Sequence, residues 1–260
     1  MRTRFALLTA SLLCSTSVAL AAPQAGLSPV SISDYSYHPS TGDQGAAPED
    51  VPADFRRREV FTVLLRAGAY GGSGAAQPIC EGAGCPSMGE GEGFDEQSAA
   101  IATVEWLFAT SRSFRFGTGI TLLPKITTQM NGQRYEVGTA LGGDFIAEGV
   151  IDVSKKTALT LRASAGISVL APSGDLKRDS EALSDLCGEV ADCTADPGPY
   201  LGVQGALGAG VLYDLGQVGA RVDFQVQGYS YRTLETEGGG VTTWVRFAGV
   251  RPMLLAGIEL

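Results

Sequence analysis

The chain has 260 residues, with 19 Lys and Arg against 28 Asp and Glu, a formal net charge of −9, and charged residues make up only 18 % of it. That balance argues against nucleic acid as a partner, because such binding rests on basic residues neutralising phosphates. Thirty-five glycines without a three-residue period exclude a collagen-like chain. No run of about 18 apolar residues follows the N-terminus, which excludes a later membrane-crossing helix.

The first residues read as a secretory signal. Arg2 and Arg4 supply the positive region, residues 5–20 are apolar with small hydroxyl residues, and Ala19-Leu20-Ala21 fits a small-x-small cleavage site. The expected signal peptide is therefore 1–21, and loss of its two arginines takes the net charge from −9 to −11. Residues 22–55, rich in Pro, Ser, Gly, Asp and Ala, are expected to be a flexible segment and hold the one histidine, His38. A barrel domain is expected over 56–260.

From residue 58 the sequence alternates with period two, the signature of strands. Residues 58–71 place Phe61, Val63, Leu65 and Ala67 on one face and Thr62, Arg66, Gly68 and Tyr70 on the other. Residues 99–110 set Val104, Trp106 and Phe108 against Thr103 and Glu105, and residues 113–123 set Phe114, Phe116, Ile120 and Leu122 against Arg115, Gly117, Gly119 and Thr121. In 135–153, Val137, Leu141, Phe145, Ala147 and Ile151 oppose Glu136, Gly138, Gly142, Asp144 and Glu148. The fifth segment, 157–170, opposes Leu159, Leu161, Ile167 and Val169 to a small, polar face holding Arg162.

Residues 200–213 alternate Leu201, Val203, Leu207 and Val211 with Gly202, Gln204, Gly208 and Gly210. Residues 217–231 alternate Val222, Phe224 and Val226 with Arg221, Asp223, Gln225 and Gln227. The eighth, 242–260, opposes Val245 and Phe247 to Arg246 and later Leu254, Ala256 and Ile258 to Gly257 and Glu259. Its halves are out of phase, so a bulge is expected near Gly249–Pro252.

Tight connections at 111–113, 154–156 and 214–216 alternate with longer ones at 72–98, 124–134, 171–199 and 232–241. That rhythm predicts an all-β, eight-stranded antiparallel up-and-down barrel with one plain and one elaborate rim. Alternation alone leaves open which face is inside. Three features point to lipid outside. The polar face carries glycine and charge of both signs at Arg66, Glu105, Arg115, Glu136, Asp144, Glu148, Arg162, Arg221, Asp223 and Arg246, which suits the narrow interior of eight strands. Aromatic residues gather near both ends of the strands, like interfacial girdles. A closed barrel also pairs every backbone group in hydrocarbon.

Signal peptide, eight alternating segments, three tight turns and four long connections together resemble the small Gram-negative outer-membrane barrels, among them the transmembrane domain of outer membrane protein A and its X-type and W-type relatives. The resemblance is architectural and covers about residues 56–260. It implies an outer-membrane transmembrane barrel, long loops outside the cell, N-terminal segment and short turns in the periplasm, contact with lipids and lipopolysaccharide, and a monomer. Such barrels usually end in an aromatic residue, where this chain has Leu260.

Enzymatic constellations in this class need a histidine base beside a nucleophile or water. His38 lies outside the barrel, so no catalytic residue and no cofactor is expected. Four cysteines follow the signal, Cys80, Cys85, Cys187 and Cys193, an even count that suggests disulfides in an exported chain. Of the three pairings, close spacing favours Cys80–Cys85 and Cys187–Cys193; C-x4-C and C-x5-C without histidine are poor zinc spacings. The loops 72–98 and 171–199 are acidic, a pattern that reads as a solvated surface and offers oxygen ligands to divalent cations. Three functions fit these residues: a scaffold with a side-chain-filled interior that shows its loops to a surface partner, a narrow channel with water beside the inward glycines, and a soluble lipocalin-like barrel with an apolar ligand inside.

Overall fold

The computed structural model describes residues 61–85, 88–111, 113–190 and 192–260. The signal at 1–21 and the segment 22–55 with His38 lie outside the described residues. The chain forms β1 (Phe61–Gly82), β2 (Glu92–Ser111), β3 (Phe114–Met130), β4 (Gln133–Ser154), β5 (Thr157–Pro172), α1 (Gly174–Gly188), β6 (Cys193–Ala195), β7 (Tyr200–Asp214), β8 (Gly219–Gly238) and β9 (Val241–Glu259). β6 is a three-residue addition to the end of β8. The other eight strands form a ring in which every pairing is antiparallel, and β9 closes it by pairing with both β8 and β1. Reciprocal backbone bonds of 3.1 and 2.9 Å between Val63 and Leu260 finish the seam.

The faces of this ring are reversed relative to a soluble barrel. Phe145 (76 % exposed), Leu207 (69 %), Leu201 (68 %) and Ile167 (65 %) stand outward, while Arg115, Arg221 and Glu148 are at or below 1 %. Burying charge while exposing large apolar side chains would be unstable in water and is the stable arrangement in lipid. The lipocalin-like reading, which needs an apolar interior under a polar exterior, is overturned by this geometry. Among the described residues no helix is long and apolar enough to cross a membrane.

The strands run further than their alternation indicated. The connections expected at 124–134 and 232–241 are mostly strand and turn in two residues, Asn131-Gly132 and Gly239-Gly240, with positive φ at all four. Such paired left-handed residues match the twist of a hairpin. The connection expected at 72–98 is also largely strand, with β1 reaching Gly82 and β2 starting at Glu92. The connection 171–199 contains a helix. In α1, Leu176, Ser180, Leu183 and Cys187 recur at helical spacing, and the buried ones face the barrel.

Three irregularities change which side chains face in. Register shifts between Leu123 and Thr127 in the β3–β4 ladder mark a bulge around Pro124 and Lys125. There proline's missing N–H costs no ladder bond. The freed carbonyls are caught by hydroxyls: Thr139 donates to the Pro124 carbonyl at 2.8 Å and Tyr70 to the Lys125 carbonyl at 3.0 Å. Opposite the bulge, Gly138 has φ +147, and the phase of β4 inverts there. Val137, expected outside, is 1 % exposed inside. A further shift occurs between Tyr70 and Gly72 in the β1–β2 ladder. No bulge occurs at Gly249–Pro252, since β8 and β9 stay in unbroken register from Thr233 to Gly219. Phe247 therefore points inward and stacks on Phe94 with ring centroids 4.3 Å apart.

Near the short turns an outer aromatic belt is present, with Phe61, Phe108, Phe114, Phe116 and Tyr213 exposed. The second belt expected near the long connections is not formed by tyrosines. Tyr70, Tyr200, Tyr229 and Tyr231 are at most 5 % exposed and fill the barrel from inside.

The orientation of the faces is directly testable. Leu161→Arg, at an outward position 56 % exposed, is expected to destabilise the barrel in lipid vesicles by about 2–4 kcal/mol in urea unfolding. A change within about 0.5 kcal/mol, the usual cost at a solvated surface, would place that face in water.

Candidate functional site

The lower half of the lumen, toward the short turns, is crossed by one continuous chain of charges. Arg162 donates to Glu105 at 2.5 and 2.6 Å. Glu105 also binds Arg66, and Arg66 donates to Asp223 at 2.8 Å. Asp223 accepts from Arg221 at 2.8 and 2.9 Å, and Arg221 is 2.5 Å from Glu148. Glu148 binds Arg115, which donates to Glu259 at 2.6 Å. Sign alternates along the whole chain, Arg162–Glu105–Arg66–Asp223–Arg221–Glu148–Arg115–Glu259, so its net charge is zero.

Seven ring strands contribute a member, and β7 contributes space. A β-carbon at Gly210 would collide with the Asp223 carboxylate, and one at Gly208 with Gln225. The inward glycines are thus occupied by the side chains opposite them, where the sequence had suggested room for water. Asp144 sits just above the chain, half-buried. It accepts two 2.9 Å contacts from Gln204 and one of 3.3 Å from Thr121.

Two of the expected interior charges lie elsewhere. Glu136 is turned out by the Gly138 inversion and pairs with Lys125 at 3.1 Å and with the Ser173 hydroxyl at 2.9 Å. Arg246 is exposed and donates to Ser230 at 3.3 Å, because β9 keeps one phase through Phe247. The matching inward arginine is Arg251, which alternation in phase with Glu259 would have indicated. It is fully buried and donates to both oxygens of Glu96 at 2.7 Å. Tyr229 donates to the same carboxylate at 2.6 Å, and the Arg251 guanidinium lies 3.6 Å from the Tyr229 ring centroid. Glu96 had been read as part of an acidic loop. Its neighbour Phe94 points inward as well, a pattern that marks strand.

Above this second polar layer the lumen becomes apolar. Phe94, Met130, Val137, Leu170, Tyr200, Phe247 and Leu176 of α1 form one cluster. The helix is fastened over it at several points. Asp179 accepts from the Tyr135 hydroxyl at 2.6 Å, and Asp175 accepts from the Glu136 backbone N–H at 2.8 Å. Cys187, at the end of α1, is bonded to Cys193, which opens β6. Cys80 and Cys85 are bonded at the tip of β1, their Cα atoms 6.0 Å apart. Burial raises the Asp179 carboxyl above the usual range, and the nearby Asp175 charge adds to that. Among the described residues no three His, Cys, Asp or Glu side chains converge to hold a metal ion.

A closed eight-stranded ring with an apolar exterior and a charge-compensated interior defines a small transmembrane β-barrel of the outer-membrane type. Solved structures of that type resemble it. These include the outer membrane protein OprG from Pseudomonas aeruginosa (10 % identity, 77 % of this chain and 96 % of that one, TM-score 0.40) and Neisserial surface protein A (11 %, 75 % and 97 %, TM-score 0.33). A third is Ail, the attachment invasion locus protein of Yersinia pestis (11 %, 78 % and 100 %, TM-score 0.28). No protein-family model and no curated protein sequence matches the chain.

The upper polar layer predicts a specific asymmetry. Arg251→Met is expected to cost about 3–5 kcal/mol, because Glu96 is left buried and unpaired. Arg251→Met with Glu96→Leu is expected to recover most of that in urea unfolding, since no lone charge remains. A double variant as unstable as the single one would show that the pair is not what holds this layer.

Proposed function

We propose that the protein is a sealed outer-membrane barrel, a scaffold whose strand extensions and disulfide-pinned upper segments are shown at the cell surface. The observation that supports this is the unbroken charge chain from Arg162 to Glu259. Its eight members come from around the ring, and each is at most 7 % exposed. An ion crossing there would have to replace contacts of 2.5–2.9 Å with its own, in a desolvated lumen where an unpaired charge is costly. The apolar cluster beneath α1 adds a second obstruction. In this reading the exposed apolar belt contacts lipid, the acidic rim faces the medium, and a partner at the surface meets the α1 segment.

A narrow channel is favoured by a different observation. Ser168, Gln225, Gln227 and Tyr231 each bury a polar side-chain atom with no protein hydrogen-bond partner. Buried polar atoms of this kind are commonly met by water. In this reading water at these atoms is the start of a conduit through the lumen.

Planar-bilayer recording of the folded protein separates the two. The sealed reading expects no unitary current from the native chain, and ion-conducting steps once Arg66→Ala and Glu105→Ala are combined. Stable unitary conductance in the native protein would overturn the sealed reading in favour of the channel.

A further inference from the structure

The upper end of the barrel holds a cavity of about 350 Å³ between α1, the β3–β4 hairpin and the ends of β8 and β9. That is within the usual size of small-molecule sites, which are mostly apolar with a few converging polar groups. Its apolar wall includes Met130, Leu176, Leu183, Leu186, Leu234 and Phe247. Its charged lining consists of carboxylates, Glu90, Glu92 and Asp179, and among the described residues no Lys or Arg lines it.

The contrast with the lumen below is chemical. There each carboxylate of the charge chain rests on an arginine; here Asp179 is held by the Tyr135 hydroxyl. The walls are also fixed in place. α1 is tied to β4 through Asp179 and Asp175, and to the β8 edge through Cys187–Cys193 and β6. The floor is braced by the stacked Phe94 and Phe247 rings. A site with apolar walls and a charged lining made only of carboxylates selects by sign. A neutral hydrocarbon leaves the carboxylates unanswered, and an anion adds repulsion in a partly desolvated space.

We propose that this cavity binds a small organic amine, with an apolar or aromatic body against the leucines and Phe247 and its ammonium group facing Asp179 and Glu92. The helix is then both roof and recognition element, since it supplies Asp179 together with Leu176, Leu183 and Leu186. The site lies above both polar layers, so the proposal stands whether or not the lumen conducts.

The test uses the full mature chain folded in phosphatidylcholine nanodiscs and isothermal titration with three probes of one shape: 2-phenylethylamine, 2-phenylethanol and 3-phenylpropanoate. The amine is expected to bind with one site per chain, at least tenfold more tightly than the alcohol, and the carboxylate not measurably. Asp179→Asn is expected to weaken the amine about tenfold and leave the alcohol unchanged, a difference of about 1.4 kcal/mol. Leu183→Trp, which fills the cavity, is expected to abolish amine binding. If its unheated band on SDS gels is not that of the folded barrel, Ala182→Leu narrows the same space and takes its place. Equal affinity for the three probes would overturn the proposal and leave a general apolar slot. Tighter binding of the carboxylate, or amine binding that survives filling of the cavity, would overturn it as well.

Discussion

Neutralising charge inside a narrow interior is the condition on which the barrel depends. Eight strands in lipid must turn their polar faces inward, and the interior they enclose is only as wide as the side chains that fill it. Four arginines and four carboxylates meet that condition because sign alternates at each contact, from Arg162 to Glu259. Interior charge of one sign would carry a desolvation cost no contact offsets. The arginine guanidinium suits the role, since its fork donates to two carboxylates at once: Arg66 bridges Glu105 and Asp223, and Arg115 bridges Glu148 and Glu259. The chain thereby joins strands distant in sequence, such as β3 and β9 through Arg115 and Glu259, 144 positions apart. It fixes the ring from within while the backbone ladder fixes it from the side.

Glycine is the complement of that chain. β7 brings no charge to it, yet Gly210 is what lets the Asp223 carboxylate lie where Arg66 and Arg221 both reach it. A barrel whose inward positions were all large would be overfilled, and one whose inward positions were all small would admit water. Pairing a small residue across the ladder from a long charged one gives uniform filling at the circumference that eight strands allow.

Alternation made the ring and most of its interior charges legible, because a two-residue period survives wherever a ladder is regular. What it could not carry was phase through a bulge. Val137 and Glu136 exchange faces because Pro124-Lys125 adds a residue on β3 and Gly138 adopts φ +147 opposite it, and neither event breaks the period on either side. Arg246 was misplaced for the opposite reason: proline suggested a bulge in β9 where none exists, since Pro252 lies where the β1–β9 ladder is interrupted, between the Tyr70–Met253 and Ser73–Val250 pairs. The helix was hidden by composition. Its six charged residues read as acidic loop, although Leu176, Ser180, Leu183 and Cys187 carried the 3.6-residue period within them. The Asn131-Gly132 and Gly239-Gly240 turns went unread, because 124–134 and 232–241 read as long connections.

The two ends of the lumen therefore solve opposite problems. At the short-turn end, every charge is matched by the sheet itself, so the floor requires nothing from outside. At the other end the sheet outgrows its lipid belt, and the polar interior gives way to tyrosine, phenylalanine and leucine that open water would destabilise. A covering element is then required, and α1 supplies it with an apolar stripe inward and Lys177, Arg178 and Glu181 outward. A short amphipathic helix is marginal on its own, which is why its attachment matters. Cys187–Cys193 holds its last turn beside β6, and Asp175 and Asp179 hold its first turns to β4. The acidic side chains that looked like solvated loop charge are in part the fastenings of this cover. Their use in that role leaves the upper end rich in carboxylate and poor in cation, the reverse of the charge balance at the floor.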